Sequence, residues 1–340
     1  MAVLRPNAVR PAATNGGSPA ASVTGEYGGQ VSRFRSQDGL WLAARVFRAA
    51  TPSDRLPLIC LPGLSRNSRD FTALGRYFSQ HLTEPRTVIA VDYRGRGLSD
   101  PDRDWRNYKP LVEAHDLLTA ATIFNAEPAI LVGTSRGGII AMLLGALRPA
   151  LIAGVVLNDI GPVVEGTGLA RIKNYLTGRR PVANWDEAVA LVRETAEGRF
   201  AALSDDDWRA AAEAYFAEEK GALVPQFDPK LVKTVDAVDF TEKIPPLWPQ
   251  FMSLARVPVL SIRGEFSDIL TERTVKEMGE RHPRFEAVTV SGQGHAPLLR
   301  DATTLERIFA FVQRCESEPG ERDGSRRLRT ERPRRSAADQ

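Results

Sequence analysis

Short apolar runs recur along the middle of this chain, and each ends in a turn signal. They read "GLWLAARVF" (39–47), "LPLICLPG" (56–63), "RTVIAVDYRG" (86–95), "PAILVGTS" (128–135), "IAGVVLNDIG" (152–161), "VPVLSIRGE" (257–265) and "FEAVTVSGQGH" (285–295). The first alternates as a half-buried strand does. Several others are continuous in Val, Ile and Leu, the pattern of parallel strands covered on both faces. Helical patterns separate them at 71–82, 111–124, 137–147 and 271–278. Strand and helix in alternation specify an α/β protein with a mostly parallel open sheet. A chain of 340 residues is ample for its core.

One interval, residues 162–255, breaks the rhythm. It reads as helical and carries Tyr175, Trp185, Phe200, Trp208, Tyr215, Phe216, Phe227 and Trp248. An insertion of that length in a compact domain usually has a role, such as a lid. Most of its aromatics are expected to anchor it to the body, and a minority to line a pocket. The core is then 28–161 and 256–315. The flanks, 1–27 and 316–340, are expected to be disordered tails, the first rich in Ala, Gly, Pro and Ser, the second charged and basic.

Composition removes several classes. The formal net charge is only +3 and its excess lies in the tails, so no nucleic-acid partner is expected. No apolar stretch approaches the length of a membrane span. Pro6 and Pro11 interrupt any signal-peptide core. Two cysteines, Cys60 and Cys315, make neither a disulfide framework nor a Cys-based zinc site. A cytoplasmic location is compatible with that.

In an open parallel sheet, ligands sit beyond the carboxyl ends of the strands. "ILVGTSRGG" there is strand, tight turn, helix, with Ser135 between small residues. A Gly-x-Ser-x-Gly turn of this kind projects a nucleophilic serine above the sheet. A serine hydroxyl needs a base, and the base needs an orienting carboxylate. Of the four histidines, His81, His115 and His282 lie in helical or helix-terminal contexts, while His295 lies in the loop after a strand. The acid is assigned to Asp268 in "GEFSDIL", with Asp159, at the end of "VVLND", the second candidate and Glu265 a weaker one. An oxyanion would be met by the backbone N–H of Arg136, at a helix N-terminus, and of Leu64, after Gly63.

Taken together, "LPG", "DYRGRGLSD", "GTSRGG", "RGEFSD" and "GQGHAP" resemble the α/β-hydrolase superfamily over about 31–313. The resemblance implies an eight-stranded, mostly parallel sheet with a helical cap. It also implies a Ser135–Asp268–His295 triad, Leu64 and Arg136 as N–H donors, and neither metal nor cofactor. Arg94, Gly95 and Gly97 look like the family's structural turn, with no chemistry at Asp92 or Asp100. Two departures stand out. Pro62 replaces a common histidine before the oxyanion-loop glycine, and Ser267 holds the place where many members carry the acid.

The expected function is hydrolysis of a small-molecule ester or lactone through an acyl-enzyme. C–C bond hydrolysis of a ring-cleavage diketone, and a non-catalytic receptor of the same fold, are the alternatives. The Arg136 side chain is read as either a carboxylate receptor for substrate or, preferentially, the ion-pair partner of Asp159.

Overall fold

Alternate residues of the apolar runs face opposite ways, so a run that is apolar throughout must be covered twice. The computed structural model, which describes residues 23–24, 27–178, 180–237 and 244–317, does so. In β4 (Leu58–Leu61), Ile59 and Leu61 enter one hydrophobic cluster, and Leu58 and Cys60 the other. β6 (Ala129–Thr134) repeats this, with Ala129 and Leu131 on one face and Ile130 and Val132 on the other.

The strands in chain order are β1 (Val23–Thr24), β2 (Gln30–Arg35), β3 (Trp41–Phe47), β4, β5 (Val88–Asp92), β6, β7 (Ile152–Asn158), the hairpin β8 (Phe216–Glu219) and β9 (Ala222–Pro225), β10 (Val259–Gly264) and β11 (Phe285–Val290). The sheet order is β1-β2-β3-β5-β4-β6-β7-β10-β11. Strands β5 to β11 along that order run parallel, and β1, β2 and β3 add an antiparallel edge. This is the expected eight-stranded sheet plus a two-residue ninth strand. β1 lies inside the expected 1–27 tail, a correction for those two residues, because they pair with Val31 and Gln30. Residues 1–22 and 318–340 of the two expected tails lie outside the described residues.

Helices α1 (Thr72–Ser79) and α10 (Ala302–Ser317) cover one face, contributing Leu74, Phe78, Ile308 and Phe311. Helices α2 (Pro110–Ile123), α3 (Arg136–Leu147), α8 (Trp248–Met252) and α9 (Glu272–Arg281) cover the other with Leu117, Ile140, Phe251 and Met278. Glu316, placed in the expected C-terminal tail, closes α10 and accepts from the buried Arg86 guanidinium at 2.7 Å.

From β4 the chain goes to β5 on one side, then returns across β4 to β6 on the other. That reversal is the topological switch point of the sheet, where loops diverge and leave a crevice. The loops after β4 and β6 flank it. The segment between β7 and β10 supplies α4 (Gly166–Thr177), α5 (Trp185–Thr195), α6 (Asp205–Tyr215), the β8–β9 hairpin and α7 (Val232–Asp236). It has its own small core of Leu176, Val182, Tyr215, Phe216 and Leu231. The hairpin corrects the expectation of a purely helical insertion. Its turn, Lys220-Gly221, has positive φ at both residues, a geometry that suits the twist of paired strands.

Candidate active site

Ser135 sits between β6 and α3 with φ 52° and ψ −115°. A non-glycine residue in that region is strained and needs the surroundings to hold it. Two contacts do so. Its N–H donates to the Asn158 carbonyl of β7 at 3.0 Å. Around it, the glycines allow a backbone approach that a side chain would block. A Cβ on Gly137 would meet the Leu61 carbonyl oxygen at 2.1 Å, and one on Gly133 would meet Gly137 at 2.6 Å.

His295, in the loop after β11, places Nε2 2.9 Å from Ser135 Oγ. Its Nδ1 lies 2.8 Å from Oδ2 of Asp159. With the proton on Nδ1, the Nε2 lone pair faces the serine hydroxyl. Asp159 follows β7 directly and has φ 56°. Its carboxylate is fully buried and also accepts the Gly264 N–H at 2.7 Å and the Ser267 hydroxyl at 2.6 Å. The His295 loop is tied down as well, since Asn158 Nδ2 donates to the Pro297 carbonyl at 2.9 Å.

The structure therefore brings together Ser135 and His295, as expected, but not Asp268. Both oxygens of Asp268 are taken by Arg171 of α4, at 2.7 and 2.9 Å. Burial alone would raise the Asp268 pKa. The Arg171 hydrogen bonds and charge, with His295 and Arg199 nearby, hold it below the usual carboxylate value instead. Ser267, next to Asp268 in the chain, donates its hydroxyl to Asp159.

The expected Arg136–Asp159 pair is also corrected. Arg136 Nε donates to Oε2 of Glu113 at 2.6 Å, and Nη2 to the Tyr108 carbonyl at 2.9 Å. Asp159 is already engaged by His295, Ser267 and Gly264. Glu113 escaped the sequence reading, although it is an acid on the face of α2 that also buries Ala114 and Leu117.

The loop after β4 runs beside the nucleophile, with the Cβ position of Gly63 3.9 Å from Ser135 Cβ. Leu64 follows Gly63. Arg136 is the first residue of α3, where a backbone N–H has no acceptor within the helix. Asp92, as expected, is structural: it accepts from the N–H groups of Ser68 and Leu98 at 2.6 and 2.9 Å.

Ser135 and His295 open into a cavity of about 560 Å³. The insertion supplies Tyr175, Trp185, Phe200 and Trp208 to its wall, half of the aromatics noted above rather than a minority. Tyr215, Phe216 and Phe227 instead fill the insertion's core, and Trp248 packs on the main one. Arg66, Arg69 and Arg171 also line the cavity. Among the described residues, no group of three or more His, Cys, Asp or Glu is placed to hold a metal ion, and no helix is long and apolar enough to cross a membrane.

The alpha/beta hydrolase family model matches residues 58–307, most of the chain and all of the site. The chain belongs to the alpha/beta hydrolase family. It is 30% identical to a 3-hydroxybutyrate-oligomer hydrolase of Cupriavidus necator, over 75% of this chain and 87% of that one. It is 26% identical to a 2-(acetamidomethylene)succinate hydrolase of Mesorhizobium japonicum, over 74% of this chain and 85% of that one. The crystal structure of an alpha/beta hydrolase from Novosphingobium aromaticivorans superposes with a TM-score of 0.74 at 33% identity, covering 84% of this chain and 98% of that chain. In this alpha/beta hydrolase, then, the fold and the general class of reaction follow from kinship, and its own geometry bears on the rest.

Proposed function

We propose that this alpha/beta hydrolase cleaves a carboxylic ester or lactone through an acyl-enzyme, with Ser135 as nucleophile, His295 as base and Asp159 as orienting acid. The unbroken line from Ser135 Oγ to His295 to the buried Asp159 carboxylate carries this reading. Ser135 Oγ forms a bond to the carbonyl carbon as His295 Nε2 takes its proton. The carbonyl π electrons move to oxygen, and the N–H groups of Leu64 and Arg136 receive that charge. The intermediate expels the alcohol oxygen, which takes the proton from His295. Water then attacks the acyl-enzyme by the same route and releases the acid. Asp159 keeps Nδ1 protonated and stabilises the imidazolium.

The helical insertion would act as a cap that shapes the cavity. Of the arginines that line the cavity, Arg171 is paired with Asp268 and Arg66 with Asp70, while Arg69 donates to the main-chain carbonyls of Glu213 and Phe216. The Cupriavidus relative's name puts 3-hydroxybutyrate oligomers first among substrates to try. The relative named for 2-(acetamidomethylene)succinate favours a second reading, attack on a non-ester carbonyl at the same serine.

The test is hydrolysis across acyl esters of increasing length, lactones, hydroxybutyrate oligomers and a diketone, with Ser135→Ala beside the wild type. Loss of activity by about 10³-fold or more in Ser135→Ala is expected. Full activity in that variant would sink the mechanism. Turnover of diketone but not ester would favour C–C cleavage, and slow turnover of every donor would favour a receptor.

A further inference from the structure

Outside the triad, Glu113 lies in the first turn of α2. Its side chain is completely buried, and a lone carboxylate there would be costly. Two guanidinium groups compensate it. Arg136 Nε donates to one carboxylate oxygen at 2.6 Å, and Arg96 Nη1 lies 2.9 Å from the other. Each arginine leads to one side of the proposed oxyanion site. Arg136 is itself the residue after the nucleophile. Arg96, also fully buried, donates through Nε to the Leu64 carbonyl at 2.9 Å and through Nη1 to the Arg94 carbonyl at 2.6 Å. A chain of contacts thus runs from the Leu64 carbonyl, one peptide on from the Leu64 N–H, through Arg96, Glu113 and Arg136 to the start of α3.

We propose that Glu113 is a positioning residue that sets the separation of the two oxyanion donors, Leu64 N–H and Arg136 N–H. The inference rests on the acyl-transfer reading above. The two donors come from loops after different strands, β4 and β6, with no covalent link nearby. Donor geometry must be held to a fraction of an ångström for full effect. The buried Glu113 charge holds both guanidinium groups in place, Arg136 by a hydrogen bond and Arg96 as an ion pair, and each of them also donates to a main-chain carbonyl, Tyr108 for Arg136 and Leu64 for Arg96. The side chains of Arg96, Glu113 and Arg136 do not line the cavity, so loss of the bridge should act on the transition state through the two donors and leave ground-state binding alone.

Glu113→Gln removes the charge while keeping the shape. It is expected to lower kcat about 10- to 100-fold on the best ester with KM within about twofold. Affinity for an alkyl boronic acid, whose tetrahedral adduct on Ser135 presents an oxygen to the donors, should fall in parallel with kcat. Affinity for the carboxylic acid product should not. Arg136→Met cuts one arm but keeps the Arg96–Glu113 pair and the backbone N–H. It should show a smaller fall of the same kind, and it carries the test if Glu113→Gln does not fold by circular dichroism. A kcat within twofold of wild type in a folded variant overturns the proposal. So does a fall in kcat with boronate affinity unchanged, or a rise in KM that accounts for the whole loss. Ser135→Ala separates the two readings: if it remains active the acyl-transfer reading fails, whereas an inactive Ser135→Ala beside a fully active Glu113→Gln removes only the bridge.

Discussion

Asp159 and Asp268 both follow strand ends near His295, and their hydrogen bonds separate them. Asp159 has one oxygen on the Gly264 N–H and the other shared by Ser267 and His295. Asp268 has both oxygens on Arg171. Replacing Asp159 by Asn keeps the shape but presents an amide where Nδ1–H must donate, so the wrong tautomer of His295 is favoured. Asp159→Asn should lower kcat about 10³- to 10⁴-fold. Asp268→Asn should lower it less than about tenfold, as steady-state kinetics on the same ester would show. The reverse ranking would return the acid role to Asp268. Ser135 and His295 were legible because each is marked by its own local sequence, a tight turn and a post-strand glycine loop. The acid was not. Several carboxylates end strands, and only the lean of one loop toward His295 chooses among them.

At the scale of elements, the β6–Ser135–α3 turn depends on close backbone contact. α3 lies against the end of β4 so tightly that a Cβ on Gly137 would meet a main-chain oxygen rather than a side chain that could turn away. Gly137→Ala is therefore expected to destabilise the fold by about 1–3 kcal/mol and to reduce activity with it, as denaturant titration and assay would show. An unchanged midpoint would mean that the strand and helix can separate freely. This turn was readable because its glycines are adjacent in sequence. The β8–β9 hairpin was not. Its strands are short and carry Glu218 and Glu219, and its turn is Lys-Gly, a weaker signal than Asn-Gly.

Across the whole molecule, the insertion is fastened to the sheet domain through Arg171 of α4 and Asp268 beyond β10. Close packing accompanies the pair, since a Cβ on Gly168 would lie 2.6 Å from the Asp268 carbonyl. The Asp268 pKa is depressed in the folded state, burial opposing and Arg171 prevailing. A depressed carboxylate stabilises the fold above its unfolded value of about 3.9, and that contribution is lost as pH falls through the lower folded value. Asp268→Asn should thus be less stable than wild type at pH 7. The gap should close below about pH 4, in thermal melts across pH. A gap independent of pH would show that the pair contributes through shape rather than charge.

Local spacing by itself determined the layered sheet, the turn holding Ser135, the histidine and the presence of an insertion. Each is encoded within a few residues, by periodicity or by glycines that only one backbone path requires. Tertiary structure alone decided the rest: Asp159 rather than Asp268 as the carboxylate against His295, Glu113 rather than Asp159 as partner of Arg136, and which aromatics face the cavity. Those choices join groups as much as 136 residues apart, as in the Asp159–His295 contact. A buried charge takes the partner that the folded chain brings within hydrogen-bond reach, and no short stretch of sequence records which one that is.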